Sequence, residues 1–525
     1  MEKVNGRKLS LIFIFILILL VIALLVGKLT FSYLGPTLGE DLSNEGEVTA
    51  SGDTLIFTKG SNLSLSATTD NFQTGGSNLS STTNPKVRLI ASSKTNSASA
   101  TYYVGVVINS NSYTYTTSDN TAEVILTIKD ENGNNVTSGV DGLTYVTSGG
   151  VSGFDVTGKT GLFNIKADYP ISTTSSSTGT THTWTFTLTF VNLGTDQSEN
   201  ENASMNLDVY LQKTKLMTLV EYVKSQYTGT QGDNGLYYHD SSLANGAGDN
   251  SYRYAGASES VNNFVCFGST TSPCPTDNLY RIIGVFGENN HGVSGQQLVK
   301  LIKYDYANSN LLGTDGDYAI SVTPDSTYYK GSLSKIDKYY WNYKNDTTVN
   351  DGSGSNTWST SLLNKINLNT NYLNNIGMTW SNLIEDTTWK VSGIHDSYLA
   401  TRKVYAKEIT NATKTYGPSD GTSKIGLMYA SDYGFAASPS AWSIEMSDYS
   451  QVISVNWMYM GYNDWTITPS SSSGYYVFYL DYGGFVVTVS AGYGCGSRPV
   501  LYLKASVAYA GGSGTKDSPI TLVVW

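Results

Sequence analysis

Residues 184–190 read Trp184-Thr185-Phe186-Thr187-Leu188-Thr189-Phe190. Large apolar side chains alternate with threonines, and in an extended chain that period of two puts all four apolar groups on one face. One face belongs to a core and the other to water. The pattern recurs upstream, where Val124, Leu126 and Ile128 oppose Glu123, Ile125 and Thr127. Asn132-Gly133 follows, a pair suited to a tight turn because both residues tolerate positive φ. Between residues 86 and 212 no helix-period stretch interrupts these strands. The region therefore predicts an all-β, Ig-like antiparallel sandwich over 86–212, with Leu207, Val209 and Leu211 on its closing strand.

Working toward the N-terminus, residues 60–85 are rich in Ser, Thr and Asn and residues 28–52 lack periodicity. Residues 28–85 are accordingly expected to form a stalk or linker. Before them stands LSLIFIFILILLVIALLVG, residues 9–27, with no charge and one polar side chain. About 20 such residues cross a bilayer's hydrocarbon core as a helix. The run is longer than a cleavable signal's apolar region and does not end in an A-x-A-like site, which favours an uncleaved signal anchor. Lys3, Arg7 and Lys8 precede it, and acidic residues follow. The positive-inside rule then makes residues 1–8 a cytoplasmic tail and everything after residue 27 an extracellular ectodomain on the plasma membrane. Residues 1–27 carry those three basic residues against Glu2, so the remainder has a formal charge of −13 against −11 for the whole chain. An acidic ectodomain argues against nucleic-acid partners, which need a basic face.

Toward the C-terminus, Leu216, Leu219, Val220 and Val223 fall at helical spacing and predict a linking helix within 213–230. Beyond it, eight of the nine tryptophans lie at or after Trp341, and helical and strand patterns mix. Residues 231–525 read as one α+β domain, with Trp358, Leu362 and Ile366 on a second helical stripe. Strands are expected at 475–480, 485–489 and 499–503. Cys266 and Cys274, eight positions apart, suit a disulfide in an oxidising compartment, leaving Cys495 as an odd thiol that is either buried or reactive, its flanking glycines and lack of a nearby histidine favouring burial.

Several segments have a family look: YRYAGA (252–257), NNFVCFG (262–268), DNLYRIIGVF (277–286), KIGLMYASDYGFAASPSAW (424–442) and GSRPVLYL (496–503). With them the chain resembles membrane-anchored surface proteins of Gram-positive (Bacillota) gut bacteria. Its C-terminal half also resembles C-type-lectin-like or formylglycine-generating-enzyme-like domains, on Trp358, Leu362-Leu363, Asn367 and the late hairpin ending at Gly496-Ser497-Arg498-Pro499. That resemblance implies a compact scaffold whose late hairpins present a ligand face. It does not extend to an activity. Formylglycine-generating enzymes act through two cysteines with copper, and only Cys495 lies in that region. Calcium-dependent lectins use a Trp-Asn-Asp run with a second acidic motif, whereas this chain has Tyr462-Asn463-Asp464-Trp465 and no partner motif.

The remaining chemistry is sparse. The four histidines, His182, His239, His291 and His395, lack metal-ligand spacing. Asp130-x-Asn132-x-Asn134 imitates the opening of a calcium loop, but Asn135 stands where glycine is required, and turn chemistry explains it better. No cofactor is assigned, calcium being the one ion whose ligand spacing is imitated. Glu259, Glu385, Glu408 and Asp432 are carboxylates from which a glycan hydrolase could draw a pair, without a motif to select two. The positive feature is aromatic density in the last third. Tyrosine offers a large apolar face and a polar tip at low entropic cost. The expectation is a non-enzymatic cell-surface adhesion or ligand-binding protein that meets a glycan or protein through Tyr462, Trp465, Tyr476, Tyr479 and Tyr482. An extracellular glycan hydrolase and a structural envelope component are the alternatives.

Overall fold

The computed structural model describes residues 45–50, 52–72, 76–287, 295–343, 354–395, 399–410 and 420–523. The expected tail and anchor, 1–8 and 9–27, lie outside the described residues. Within them, no helix is long and apolar enough to cross a membrane. The chain is mostly β, and every pairing between strands of the described residues is antiparallel.

Three sheets share the N-terminal core. One orders Glu45–Ala50, Asp53–Thr58, Lys86–Ile90 and Thr180–Thr183; the second orders Gly161–Thr173, Ala98–Asn111, Ser204–Gln212 and Leu63–Ser66. The third orders Leu79–Thr83, Thr185–Phe190, Val124–Lys129, Val151–Asp155 and Thr144–Ser148. Trp184, Phe186, Leu188 and Phe190 all point into the common core with Val124, Leu126 and Ile128, while Ile125 packs on the opposite face against Val191. At Trp184 the chain leaves one sheet for another, its N–H bonded to the carbonyl of Pro85, where the neighbouring strand makes the same change. The indole donates to the Tyr102 hydroxyl at 2.8 Å, and that hydroxyl meets His182 Nδ1 at 2.9 Å.

The stalk expectation is corrected for residues 45–83. Four strands of this segment pair into all three sheets, and Leu55, Leu63 and Leu65 are core residues. The segment's polar composition misleads because every second residue of a half-buried strand faces water. The Asp130 loop is a turn: its Oδ1 accepts from the N–H groups of Asn132 and Asn134, both at 2.9 Å, and of the central pair only Gly133 has positive φ. Glu123, fully buried, accepts from the Thr116 N–H and hydroxyl and from the Gln197 and Asn200 amides.

The linking helix is shorter than 213–230, spanning Leu219–Ser225. Thr218 Oγ1 accepts from the Glu221 N–H at 3.1 Å and Glu221 Oε2 from the Thr218 N–H at 2.7 Å, a reciprocal box that satisfies two otherwise orphaned donors. Leu216 precedes the helix and packs with Val107 of the N-terminal region and Ala508 and Val523 of the C-terminal one. Leu219 N–H bonds to Val507 and Tyr509 N–H to Met217, so the connection is pinned along the chain's end. Thr218→Ala should lower stability by about 1 kcal/mol, read as a shift in the urea midpoint. An unchanged midpoint would mean the box contributes nothing here.

The C-terminal region is built on a central sheet ordered Leu236–His239, Ser251–Tyr254, Leu279–Phe286, Leu298–Lys303, Val500–Leu503 and Ile425–Gly426, with Phe264–Cys266 also paired to Leu279–Phe286. Its central strands are buried on both faces. A support sheet orders Tyr318–Val322, Ile336–Tyr340 and Gly494–Cys495, and a hairpin sheet orders Asp464–Pro469, Tyr476–Leu480 and Val486–Ser490. The second stripe is shifted from expectation. Residues Leu363–Tyr372 wind as a π-helix, and Leu363, Asn367, Leu368 and Tyr372 are buried while Leu362 and Ile366 are only half-buried. The wider turn replaces a spacing of four by one between four and five.

Candidate functional site

The hairpin sheet positions the aromatic residues singled out from the sequence. Tyr476–Leu480 turns into Val486–Ser490 through Asp481-Tyr482-Gly483-Gly484-Phe485. Asp481 Oδ1 accepts from the N–H groups of Gly483 (2.8 Å) and Phe485 (3.1 Å). Gly484 has φ +89°, and a Cβ there would lie 2.4 Å from the Ile453 Cγ2, so this turn requires glycine. Tyr482 rides on the turn, its N–H bonded to Asn463 Oδ1 at 2.9 Å and its carbonyl to the Tyr459 hydroxyl at 2.7 Å.

The structure treats the five expected contact residues differently. Trp465 is fully buried, with its indole donating to the Tyr339 carbonyl at 2.7 Å; it locks the hairpin sheet to the support sheet and cannot meet a ligand. Trp341 makes the reciprocal tie to the Thr466 carbonyl at 2.9 Å. Nor does the strand Tyr476–Leu480 divide into one core face and one open face, since adjacent Val477 and Phe478 are both buried. Tyr479 is half-buried above Trp465, with ring centroids 6.2 Å apart. Tyr482 is 51% exposed and sits edge-on to Tyr328 at 5.1 Å. Tyr462 is half-buried against Tyr306, and burial pushes its hydroxyl up to about 12. Tyr476 is exposed and packs at a tilt against Tyr475 at the other end of its strand.

Two members escaped the sequence pattern because neither lies in the hairpin. Tyr493, 41% exposed, follows the last hairpin strand and meets Tyr479 with centroids 6.4 Å apart. Asn463 lies beside its hydroxyl, and the Asn463 Oδ1 accepts from the Tyr482 backbone N–H. Tyr328 comes from a loop more than a hundred residues earlier. The resulting rim comprises Tyr328, Tyr482, Tyr479 and Tyr493, with Tyr462 beside them and the buried Cys495 thiol close to Tyr462, Tyr479 and Tyr493.

The interior of the C-terminal region holds buried charges, and they account for most of the sequence segments with a family look. Arg498 Nε donates to Asp464 Oδ2 at 2.5 Å and its Nη2 to the Met458 carbonyl at 2.9 Å. Arg253 Nη2 pairs with Asp249 at 2.7 Å; Lys300 Nζ pairs with Asp432 at 2.5 Å. Arg281 lies between the Phe264 and Trp457 rings and donates to Asn263 Oδ1 at 2.6 Å. These charges are all sealed from water and act as internal fasteners. Glu408 and Asp432, two of the carboxylates considered for hydrolysis, belong to the same interior and are also sealed. Glu259 is exposed and Glu385 half-buried. Cys266 and Cys274 are bonded to one another. A shallow depression of about 430 Å³ lies in the N-terminal region between Ser97–Ser99 and Ser172–Thr174, with no ionisable side chain on its wall.

No family model, curated protein or solved structure matches the chain.

Proposed function

We propose that the protein is displayed on the cell surface by an anchor at residues 9–27 and binds an external ligand, glycan or protein, through the tyrosine rim. What supports this is where the aromatics divide. All eight tryptophans of the described residues are buried, whereas the exposed large aromatics are tyrosines, and Tyr482 and Tyr493 are braced by ring contacts with Tyr328 and Tyr479. Rings exposed yet fixed make contact area without the ordering cost a mobile side chain incurs. In this reading the three N-terminal sheets are an elaborated Ig-like sandwich that acts as a spacer. Residues 231–525 are a C-type-lectin-like tip, and the resemblance to anchored surface proteins of Gram-positive gut bacteria fits that arrangement. The buried fasteners keep the tip rigid and do no chemistry.

The test uses the full chain, solubilised in mild detergent, against a panel of oligosaccharides and mucosal proteins. Tyr479→Ala should weaken whatever binds by about tenfold or more, and EDTA should leave binding unchanged. A folded chain that binds nothing on the panel, or one whose binding is indifferent to Tyr479→Ala, would defeat the proposal.

A further inference from the structure

Lys338 gives the tyrosine rim a chemical preference. Its Nζ lies 5.0 Å from the centre of the Tyr493 ring, and its stem crosses Gly494, where an added Cβ would meet Lys338 Cε at 3.1 Å. The lysine stem thus packs closely over Gly494. Three of the buried cations described above have an anionic partner: Lys300 has Asp432, Arg253 has Asp249 and Arg498 has Asp464. Lys338 forms no ion pair among the described residues. Two carboxylates of the neighbouring elements are already engaged. Asp337, its neighbour on the strand, is buried and accepts from the Ser309 N–H, and Asp481 is held by the turn it closes. The result is an ammonium with spare hydrogen-bonding capacity at the end of a row formed by Lys338, Tyr493 and Tyr479.

We infer that the rim's ligand is an acidic saccharide, its sugar ring lying on Tyr479 and Tyr493 and its carboxylate reaching Lys338. This rests on the binding role proposed above. The apolar C–H face of a pyranose matches a tyrosine ring, and the tyrosine hydroxyls match sugar hydroxyls. A free cation placed in a chain of formal charge −11 complements an anion locally where the overall field does not.

Tetragalacturonate, a hyaluronan tetrasaccharide and a sialic-acid tetramer, each beside its methyl ester, would be titrated into the full detergent-solubilised chain. The esters keep the sugar and remove the charge. The wild-type chain should bind at least one acid about tenfold more tightly than its ester. Lys338→Met, which keeps the stem, should reduce that preference to within about twofold while leaving the ester's affinity alone, and Tyr479→Ala should weaken acid and ester together. Equal binding of acid and ester by the wild-type chain would overturn the acidic preference, as would a preference that survives Lys338→Met; in either case Tyr479 dependence would leave the binding face standing. Equally tight binding of a poly-glutamate peptide would make the occupant an acidic peptide and overturn the saccharide assignment. Failure of every sugar to bind a chain with an unchanged melting midpoint would overturn it as well, and if the proteins of the wider panel also failed to bind, the face itself would fall.

Discussion

Arg498→Met should destabilise the protein by about 3–5 kcal/mol, the largest effect expected of any single substitution here. Arg498 is almost wholly buried, and its only ion-pair partner among the described residues is Asp464, also buried. Removing the guanidinium leaves a carboxylate without its counter-charge, and that is more costly than losing both members. It also strips the Met458 carbonyl of a donor. Asp464 begins the hairpin sheet, while Arg498 stands two residues before the strand Val500–Leu503 of the central sheet, so the pair joins the two. Asp464 holds Arg498 firmly protonated, so the guanidinium does not titrate in any accessible range. The double variant Arg498→Met, Asp464→Leu should recover a large part of the loss, since no buried charge remains. Guanidinium-chloride midpoints of the four chains decide it. If the double variant is as unstable as the sum of the two single ones, the pair is not acting as a unit.

How much of this was visible beforehand depends on how local the cause is. Alternation at 184–190 and 124–128 is local, and the strands stand where it put them with the predicted residues inward. The helix at Leu219–Ser225 carried its own start signal, Thr218 with Glu221 three residues on. Leu63-Ser64-Leu65-Ser66 carried one too: both leucines are buried and both serines exposed. That signal was outweighed by the surrounding Ser and Thr content, although composition averages over the two faces of a strand. The aromatic run failed for a different reason. Period two separates the faces of a strand but does not say whether both are covered. The hairpin sheet is covered on both sides near Val477 and Phe478, which sends Trp465 inward and leaves only Tyr479 and Tyr482 of that neighbourhood at the rim. Tyr328, Tyr493 and Lys338 join them through tertiary contacts that no sequence period records. The same holds for the ion pairs, whose partners stand 34 positions apart for Asp464 and Arg498 and 132 apart for Lys300 and Asp432.

The interior around Asp432 also sets a pH response. Glu408 sits fully buried, with Oε1 accepting from the Ala430 N–H at 3.0 Å and from the Thr468 hydroxyl, and Oε2 accepting from the Ser431 N–H at 3.1 Å. Those donors favour the carboxylate, but burial outweighs them and the nearby Asp432 adds to it, so the carboxyl is pushed up from 4.5 to about 7. The folded state therefore holds its proton more tightly than the unfolded chain. The stabilisation is fully present below pH about 4.5 and is lost as pH rises through about 7. The shift corresponds to a loss on the order of 3 kcal/mol across that window. The protonated acid needs an acceptor, and the Thr468 hydroxyl can turn to supply one. Glu408→Gln keeps the shape, stays neutral at every pH and can donate to the same hydroxyl. Between pH 4.5 and 8 the wild-type urea midpoint should fall relative to that of Glu408→Gln, and the two curves should run parallel above pH 8, where the wild-type carboxylate is ionised. Curves that track one another across the whole range would show that Glu408 is ionised throughout, with its three donors prevailing over burial.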